Sequence, residues 1–162
     1  EPLAAEALLR IKALTGDAEA DVVGECLVGL LQVEPEASPG FVAGFLDAAD
    51  PALREQAALA LGGSHLDLAL DLLRARWDAE PLKGEAQRPL LRGAMLHRSP
   101  AAFDWLVEVV ARGDPRTGAW LVEELALYRA NARLRERLSA AVETRDRPAV
   151  SAAWDRAWGE AD

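Results

Sequence analysis

The sequence predicts an all-α fold, an α-solenoid of about five antiparallel helix hairpins in one domain spanning residues 1–162. Three glutamates, Glu25, Glu55 and Glu85, recur at a spacing of 30 residues, and each opens an apolar run after a turn-like stretch. A fixed period of this length, with helical spacing inside each unit, is typical of stacked helix pairs. Ala and Leu dominate the hydrophobic residues, which make up 51% of the chain, and this composition favours helix over strand.

Helix-start signals recur along the chain with one design, a Ser or Asp followed by Pro. The Ser or Asp side chain can accept a hydrogen bond from a first-turn amide, and the proline has a suitable fixed φ and needs no N–H there. These signals are Ser38-Pro39, Asp50-Pro51, Ser99-Pro100 and Asp114-Pro115, with Glu80-Pro81 and Arg147-Pro148 as weaker versions. We expect helices to stop at Gly16, at the Gly62-Gly63 pair and at Gly113.

Between these signals the apolar residues follow the spacing of one helix face. The pattern predicts about ten helices, over residues 2–15, 19–34, 39–48, 51–62, 65–78, 82–97, 100–112, 115–129, 131–145 and 148–158. Because Pro89 lies inside the sixth helix, that helix either kinks there or begins nearer Arg88. The short loops predict antiparallel pairs, which gives repeats over residues 2–34, 39–62, 65–97, 100–129 and 131–158.

The net charge of −9 is unevenly distributed. Residues 1–50 carry ten acidic and two basic residues, whereas residues 51–162 carry seventeen acidic and sixteen basic residues. This balance argues against a chain-wide surface for nucleic acid, whose affinity depends largely on neutralising phosphates. An acidic N-terminal part either attracts a basic partner or simply keeps the surface solvated.

Several features bear on the cellular compartment. Cys26 is the single cysteine, which fits a reducing compartment, and its spacing with Val22, Val23 and Leu30 predicts a small buried hydrophobe. The apolar runs are too short to span a bilayer, and no export signal is visible, so we expect a cytoplasmic protein. The chain opens with Glu1-Pro2 rather than Met, which indicates a fragment of a longer protein.

One segment carries a family resemblance. Residues 50–63, DPALREQAALALGG, contain Asp50-Pro51, then Arg54, then a run of small residues, and finally Leu61-Gly62. This order resembles the HEAT-like repeat in the short form found in phycobilisome-lyase proteins. The segment 114–127 keeps Asp114-Pro115 but has Trp120 in place of the small residues, and the segment 17–31 keeps Glu25. The resemblance implies a right-handed stack of helix hairpins with a concave inner face, and it implies no particular reaction.

The sequence contains no recognisable catalytic or metal-binding constellation. It has two histidines, His65 and His97, and neither forms the His-Glu pairs that the HEAT-repeat enzyme hydroxylating deoxyhypusine uses for its di-iron centre. We expect both histidines at the surface or at helix caps. No nucleophile elbow and no glycine-rich phosphate loop is present. We therefore expect no enzyme activity, no cofactor and no metal.

Basic and aromatic residues provide the candidate binding surface. Arg88 and Arg92 share a helix face, and three more arginines follow one another at i,i+4 spacing. If these arginines line the concave side, they can bind an acidic peptide or a phosphate; otherwise they pair with neighbouring acids or meet water. The candidate partner-binding residues are Arg88, Arg92, Arg129, Arg133, Arg137 and Trp120.

These observations predict a non-enzymatic scaffold that binds another protein or a peptide on its concave face. Two alternatives remain open at this point. One is a nucleic-acid-binding module of the DNA-repair type, as in the HEAT-like alkylpurine DNA glycosylase. The other is a bilin-lyase-like chaperone for a pigment or other small molecule, which requires a deep apolar groove.

Overall fold

A computed structural model describes residues 2–79, 84–144 and 147–159 of the chain. Over these residues the secondary structure is helical, with no strand. The α-helices of this described part are α1 Pro2–Thr15, α2 Ala20–Val33, α3 Pro39–Ala43, α4 Pro51–Ser64, α5 Asp67–Asp78, α6 Arg88–His97, α7 Pro100–Arg112, α8 Pro115–Leu125, α9 Ala132–Glu143 and α10 Pro148–Trp158. The all-α prediction is confirmed.

The helix boundaries follow the predicted start signals closely. α1, α7 and α10 have the predicted bounds, whereas three predicted helices continue as, or begin with, a 3₁₀ turn: Gly44–Asp47 after α3, Gly84–Gln87 before α6 and Ala126–Tyr128 after α8. Of the two alternatives for the sixth helix, the later start is right, since α6 begins at Arg88. Pro89 then lies in the first turn, where its missing N–H is not needed. The Glu80-Pro81 signal lies outside the described residues.

Three of the four predicted caps form. The side chain of Asp50 accepts a hydrogen bond from the Ala52 amide, and Ser99 Oγ accepts one from the Ala102 amide. Asp114 accepts hydrogen bonds from two amides at the start of α8. The prediction for Ser38 is wrong, because its backbone is already helical (φ −88°, ψ −24°) and its fully buried hydroxyl makes no cap bond.

The prediction that the Gly62-Gly63 pair stops a helix is also wrong. α4 runs on to Ser64 and ends at His65, whose φ of 55° is left-handed. Gly62 is instead a contact point between helices, since a Cβ there would lie far inside van der Waals contact with the Gly93 carbonyl oxygen. In turn, a Cβ on Gly93 would lie 2.5 Å from the Ala58 carbonyl oxygen. These glycines let the backbones of α4 and α6 approach closely.

The chain forms two compact units, Glu1–Arg98 and Ser99–Asp162. In the first unit α1 packs on α2, and α2, α4 and α6 pack side by side in that order. α3 and its 3₁₀ turn pack on α4, and α5 packs on α3, α4 and α6. The core between them is aliphatic and includes fully buried Leu27, Leu30, Leu61, Leu73 and Leu91. The prediction of a single domain stays a prediction.

The second unit is built around α8 and α10, which pack on each other, while α7 packs on α8 and α9. Trp158 of α10 is buried, and its indole Nε1 donates a hydrogen bond of 2.8 Å to the Val122 carbonyl oxygen of α8. Trp154 stacks on Trp158 with ring centroids 5.2 Å apart. These tryptophans therefore serve as the packing face of the last helix, as their i,i+4 spacing indicates.

Candidate functional site

A groove with a volume of about 450 Å³ lies on the surface of the first unit, between α2 and α4. We call it the α2–α4 groove. Its residues come mainly from these two helices, and the C-terminal part of α6 adds one side chain. They are Gly24, Glu25, Val28, Leu31, Gln32, Pro35, Gln56, Leu59, Ala60, Gly63, Ser64, Leu66 and Leu96.

The groove follows from the helical spacing of its residues. On α2, Gly24, Val28 and Leu31 occur at i, i+4 and i+7, so they lie along one face. On α4, Gln56, Leu59 and Gly63 form a matching row at i, i+3 and i+7. Because Gly63 has no side chain and Ala60 a short one, the space between the helices is only partly filled by side chains.

The two glycines of the groove differ in the room around them. A Cβ on Gly24 would overlap the carboxamide of Gln56, which is the far end of a flexible side chain. A Cβ on Gly63 would lie 3.5 Å from Leu96 Cδ2, which is an ordinary van der Waals distance. Gly63 is also exposed, so a larger side chain at this position would extend into the groove without disturbing the backbone.

The charge in and around the groove is negative. Glu25 lines it and is exposed, and Gln56 Nε2 donates a hydrogen bond of 2.6 Å to Asp21 Oδ1. α2 contains no Lys or Arg, and the only basic residue of α4 is Arg54. Arg54 Nη1 donates instead to the carbonyl oxygens of Ala48 and Ala49, at 2.8 and 3.1 Å. The α2–α4 groove is therefore apolar at its base and acidic at its edge.

The arginines predicted to bind a partner are mostly engaged in ion pairs. Arg88 Nη1 lies 3.3 Å from Glu85 Oε1, Arg92 of α6 pairs with Glu55 of α4, and Arg137 of α9 pairs with Asp104 of α7. Of these three partners only Glu85 is close in sequence to its arginine. The other three candidates are exposed Arg129 and Arg133 and half-buried Trp120.

The predicted candidates are divided between the two units. Arg88 and Arg92 belong to the first unit, and Trp120, Arg129, Arg133 and Arg137 belong to the second. Their role in partner binding stays a prediction. The predicted binding residues do not include the groove, although the sequence carries part of its signal in Val28 and Leu31 of α2 and Leu59 of α4. The prediction that Gly63 stops a helix assigns this residue a different role.

The two histidines link the ends of α4 and α6 through hydrogen bonds. His65 terminates α4, as a cap residue should, but His97 is buried and not at the surface. His65 Nδ1 lies 3.0 Å from the His97 carbonyl oxygen, and His97 Nε2 lies 3.2 Å from the Leu66 carbonyl oxygen. A ring nitrogen that faces a carbonyl oxygen at this distance carries the proton and donates it. These nitrogens serve the fold and are not placed to bind a metal.

A second apolar surface lies on α1. Leu8, Ile11 and Leu14 are 67%, 62% and 71% exposed, although they follow one another at i, i+3 and i+6 on one side of the helix. Leu14 also borders a shallow depression of about 410 Å³ formed with Phe41, Phe45 and their neighbours. Because this surface is more open than the α2–α4 groove, it offers a partner less shape complementarity.

Within the described ranges, no group of three or more His, Cys, Asp or Glu side chains could hold a metal ion. The helices of the same ranges include none with the length and apolar character needed to cross a membrane. Comparison with known proteins found no matching family model, no matching curated protein and no matching solved structure.

Proposed function

We propose that this protein is a non-enzymatic interaction scaffold that binds another protein on the face formed by α2, α4 and α6. The observation that supports this proposal is the α2–α4 groove, which combines an apolar base with an exposed acidic residue, Glu25. Surface grooves with apolar bases and a few polar groups at the edge are common recognition sites.

We further propose that the hairpins are HEAT-like repeats of an α-solenoid. The curvature of such a stack creates an extended concave surface, and we assign the second helices of successive hairpins to it. α2, α4 and α6 are the second helices of the hairpins predicted over residues 2–34, 39–62 and 65–97, and they pack in that order. Under this proposal, the α2–α4 groove belongs to the concave face.

The polar side chains of the groove favour binding over catalysis. Ser64 Oγ donates a hydrogen bond of 2.6 Å to the Leu61 carbonyl oxygen, so it is held by its own helix. Gln56 is bonded to Asp21, and Glu25 is the one carboxylate among the described residues that line the groove. A nucleophile needs a neighbouring base within hydrogen-bond reach, and these contacts do not bring such a pair together.

The acidic edge of the α2–α4 groove also bears on the choice between a nucleic acid, a pigment and a protein as its partner. A nucleic acid would be repelled by Glu25 and by Asp21 of α2, because its affinity depends on phosphate neutralisation. A bilin-lyase-like role would use the same groove for a pigment. We favour a protein partner because the groove lies open at the surface between two helices, so a partner can extend beyond it along both of them.

A site-specific crosslinking experiment tests the proposal. A photo-crosslinking amino acid replaces Val28, which lines the groove and is 36% exposed, in cells that naturally express the protein. The matched control places the same amino acid at Leu68, which is 49% exposed on α5 of the same unit. We expect one defined protein adduct at Val28 that is missing at Leu68. Identical adducts at the two positions, or none at Val28, would contradict a partner site in the groove.

A further inference from the structure

We infer that the occupant of the α2–α4 groove is an amphipathic helix of a partner protein, with Lys or Arg beside its apolar face. This inference rests on the proposed function and specifies the chemistry of the partner. Three observations carry it: the shape and apolar lining of the groove, the state of the backbone around it, and the distribution of charge.

The groove has the dimensions of a helix-binding site. On α2 the lining residues extend from Gly24 to Gln32, which corresponds to about 12 Å, or just over two helical turns, and Pro35 adds to the lining beyond the end of the helix. The apolar side chains along it are Val28, Leu31, Leu59, Ala60, Leu66 and Leu96. A helix lying in the groove would place apolar residues at i, i+3, i+4 and i+7 against these side chains.

The backbone around the groove favours a helix over an extended peptide. The groove is walled by α2 and α4, whose amides and carbonyls are bonded within their own helices. An extended peptide normally gains affinity by pairing its backbone with an exposed strand edge. The described part of this chain offers no strand, whereas a helical partner arrives with its own backbone hydrogen bonds already formed.

The charge distribution selects a basic partner. Residues 1–98, which form the first unit, contain sixteen acidic and nine basic residues. Glu25 lines one end of the groove, and Glu34 and Glu36 flank Pro35 at the other end. Arg54 of α4 contacts the carbonyl oxygens before that helix, and Arg92 of α6 pairs with the carboxylate of Glu55. A positive helix is therefore attracted to the acidic residues at both ends of the groove.

Three synthetic peptides test the inference. Each has about 15 residues and the same leucine face at helical spacing, and the flanking positions carry Lys in one peptide, Gln in the second and Glu in the third. Fluorescence anisotropy of the labelled peptides measures their affinity for the whole protein. We expect the Lys peptide to bind at least tenfold more tightly than the Glu peptide. This advantage should shrink as the salt concentration rises from about 50 to about 300 mM, because salt screens exposed charges.

Two pairs of variants locate the binding. Gly63→Met fills the groove and should weaken binding of the Lys peptide at least tenfold, whereas Gly40→Met, at an open position of α3 outside the groove, should leave it unchanged. Glu25→Gln should weaken binding of the Lys peptide about three- to fivefold, as expected for one exposed charge. Asp71→Asn, which removes an exposed acid of α5, is its control. Circular dichroism melting curves show that each variant is folded.

Equal binding of the three peptides, or wild-type binding by Gly63→Met, would overturn the inference. The outcome is separable from that of the crosslinking experiment. If Val28 captures a partner but the Lys peptide fails to bind, the scaffold stands and the basic helix is wrong. If the Lys peptide binds in a manner that depends on Gly63 but Val28 captures nothing in cells, the groove chemistry is right and the scaffold function is wrong.

Discussion

The two units of this protein bring their central helices together by opposite means. In the first unit, α4 and α6 meet through Gly62 and Gly93, so that backbone lies against backbone. In the second unit, α8 and α10 meet through Trp158, a large side chain that also donates a hydrogen bond to Val122. The comparison shows that a glycine contact tolerates no added atom, whereas an aromatic contact depends on volume and on one polar partner.

The largest effect is expected from Gly62→Ala. The new Cβ would overlap the Gly93 carbonyl oxygen, and neither backbone can move away without separating α4 from α6. We expect the first unit to lose about 3 kcal/mol or more of unfolding free energy. Hydrogen exchange of the α4 and α6 amides measures the effect in this unit separately from the other.

The neighbouring glycine supplies the matched control for that experiment. Gly63→Ala puts its Cβ at an ordinary distance from Leu96, in the same helix and one residue further on. Alanine has the higher helix propensity, so this variant should be stabilised by up to about 1 kcal/mol. Equal destabilisation by the two substitutions would show that the close approach of α4 and α6 is not what requires Gly62.

The corresponding substitution in the second unit is Trp158→Phe. It removes the indole N–H that reaches the Val122 carbonyl oxygen and part of the buried volume, while it leaves an aromatic ring against Trp154. We expect a loss of about 2 kcal/mol, from one unsatisfied carbonyl and a small cavity. Urea unfolding followed by far-ultraviolet circular dichroism measures the loss. A loss as large as that of Gly62→Ala would show that the tryptophan contact of α8 with α10 is as sensitive to substitution as the glycine contact of α4 with α6.

The smallest effects are expected at the helix caps, which also differ between the units. Asp114 accepts hydrogen bonds from the Arg116 and Thr117 amides, whereas Asp50 accepts one from Ala52. Removing a cap costs about 1 kcal/mol, and we expect Asp114→Ala to cost more than Asp50→Ala. Thermal unfolding of the two variants measures the two losses of stability. Equal losses, or a larger loss for Asp50→Ala, would show that the number of accepted hydrogen bonds does not set the effect of a cap.

The Asp114 cap also makes stability depend on pH. Partial burial by itself would raise the pKa of Asp114, but hydrogen bonds from the Thr117 hydroxyl and amide and from the Arg116 amide outweigh it and lower the pKa below its usual value. The stabilisation is therefore present above the usual carboxyl pKa of about 3.9 and is lost as the pH falls through the lower, folded value. Asp114→Asn, which caps but does not titrate, should be less stable than the wild type by a constant amount above about pH 5, and this difference should shrink below about pH 4. A difference that stays constant to lower pH would contradict this origin.

The candidate site is only partly predictable from the sequence. The repeat of Glu25 and Glu55 was recognised from spacing, and the structure places Glu25 in the groove and Glu55 in an ion pair with Arg92. The groove could not be predicted, because it depends on which second stripes of α2 and α4 face each other. Arg88, Arg92, Arg133 and Arg137 lie on helices, whereas Arg129 lies in the turn after the 3₁₀ turn Ala126–Tyr128 and not on α9. Glu85, the partner of Arg88, is close in sequence, but the partners of Arg92 and Arg137 lie on other helices, 37 and 33 residues away.

The sequence by itself determined where most helices begin and end. Asp50, Ser99 and Asp114 form their caps, and Gly16, at φ 78°, follows α1 as predicted. These signals act within one helical turn, since a cap bonds to amides two or three residues away. Such signals are readable without any knowledge of neighbouring helices.

Only the tertiary structure decided what Gly62 and His97 do. Gly62 is compatible with a helix end or with a helix crossing, and the crossing is selected because Gly93 of α6 lies against it. His97 is buried because the Leu66 carbonyl oxygen is present to accept its hydrogen bond. The partners of both residues are about 31 positions away in the sequence. Contacts between residues so far apart depend on how whole helices pack, which no local pattern specifies.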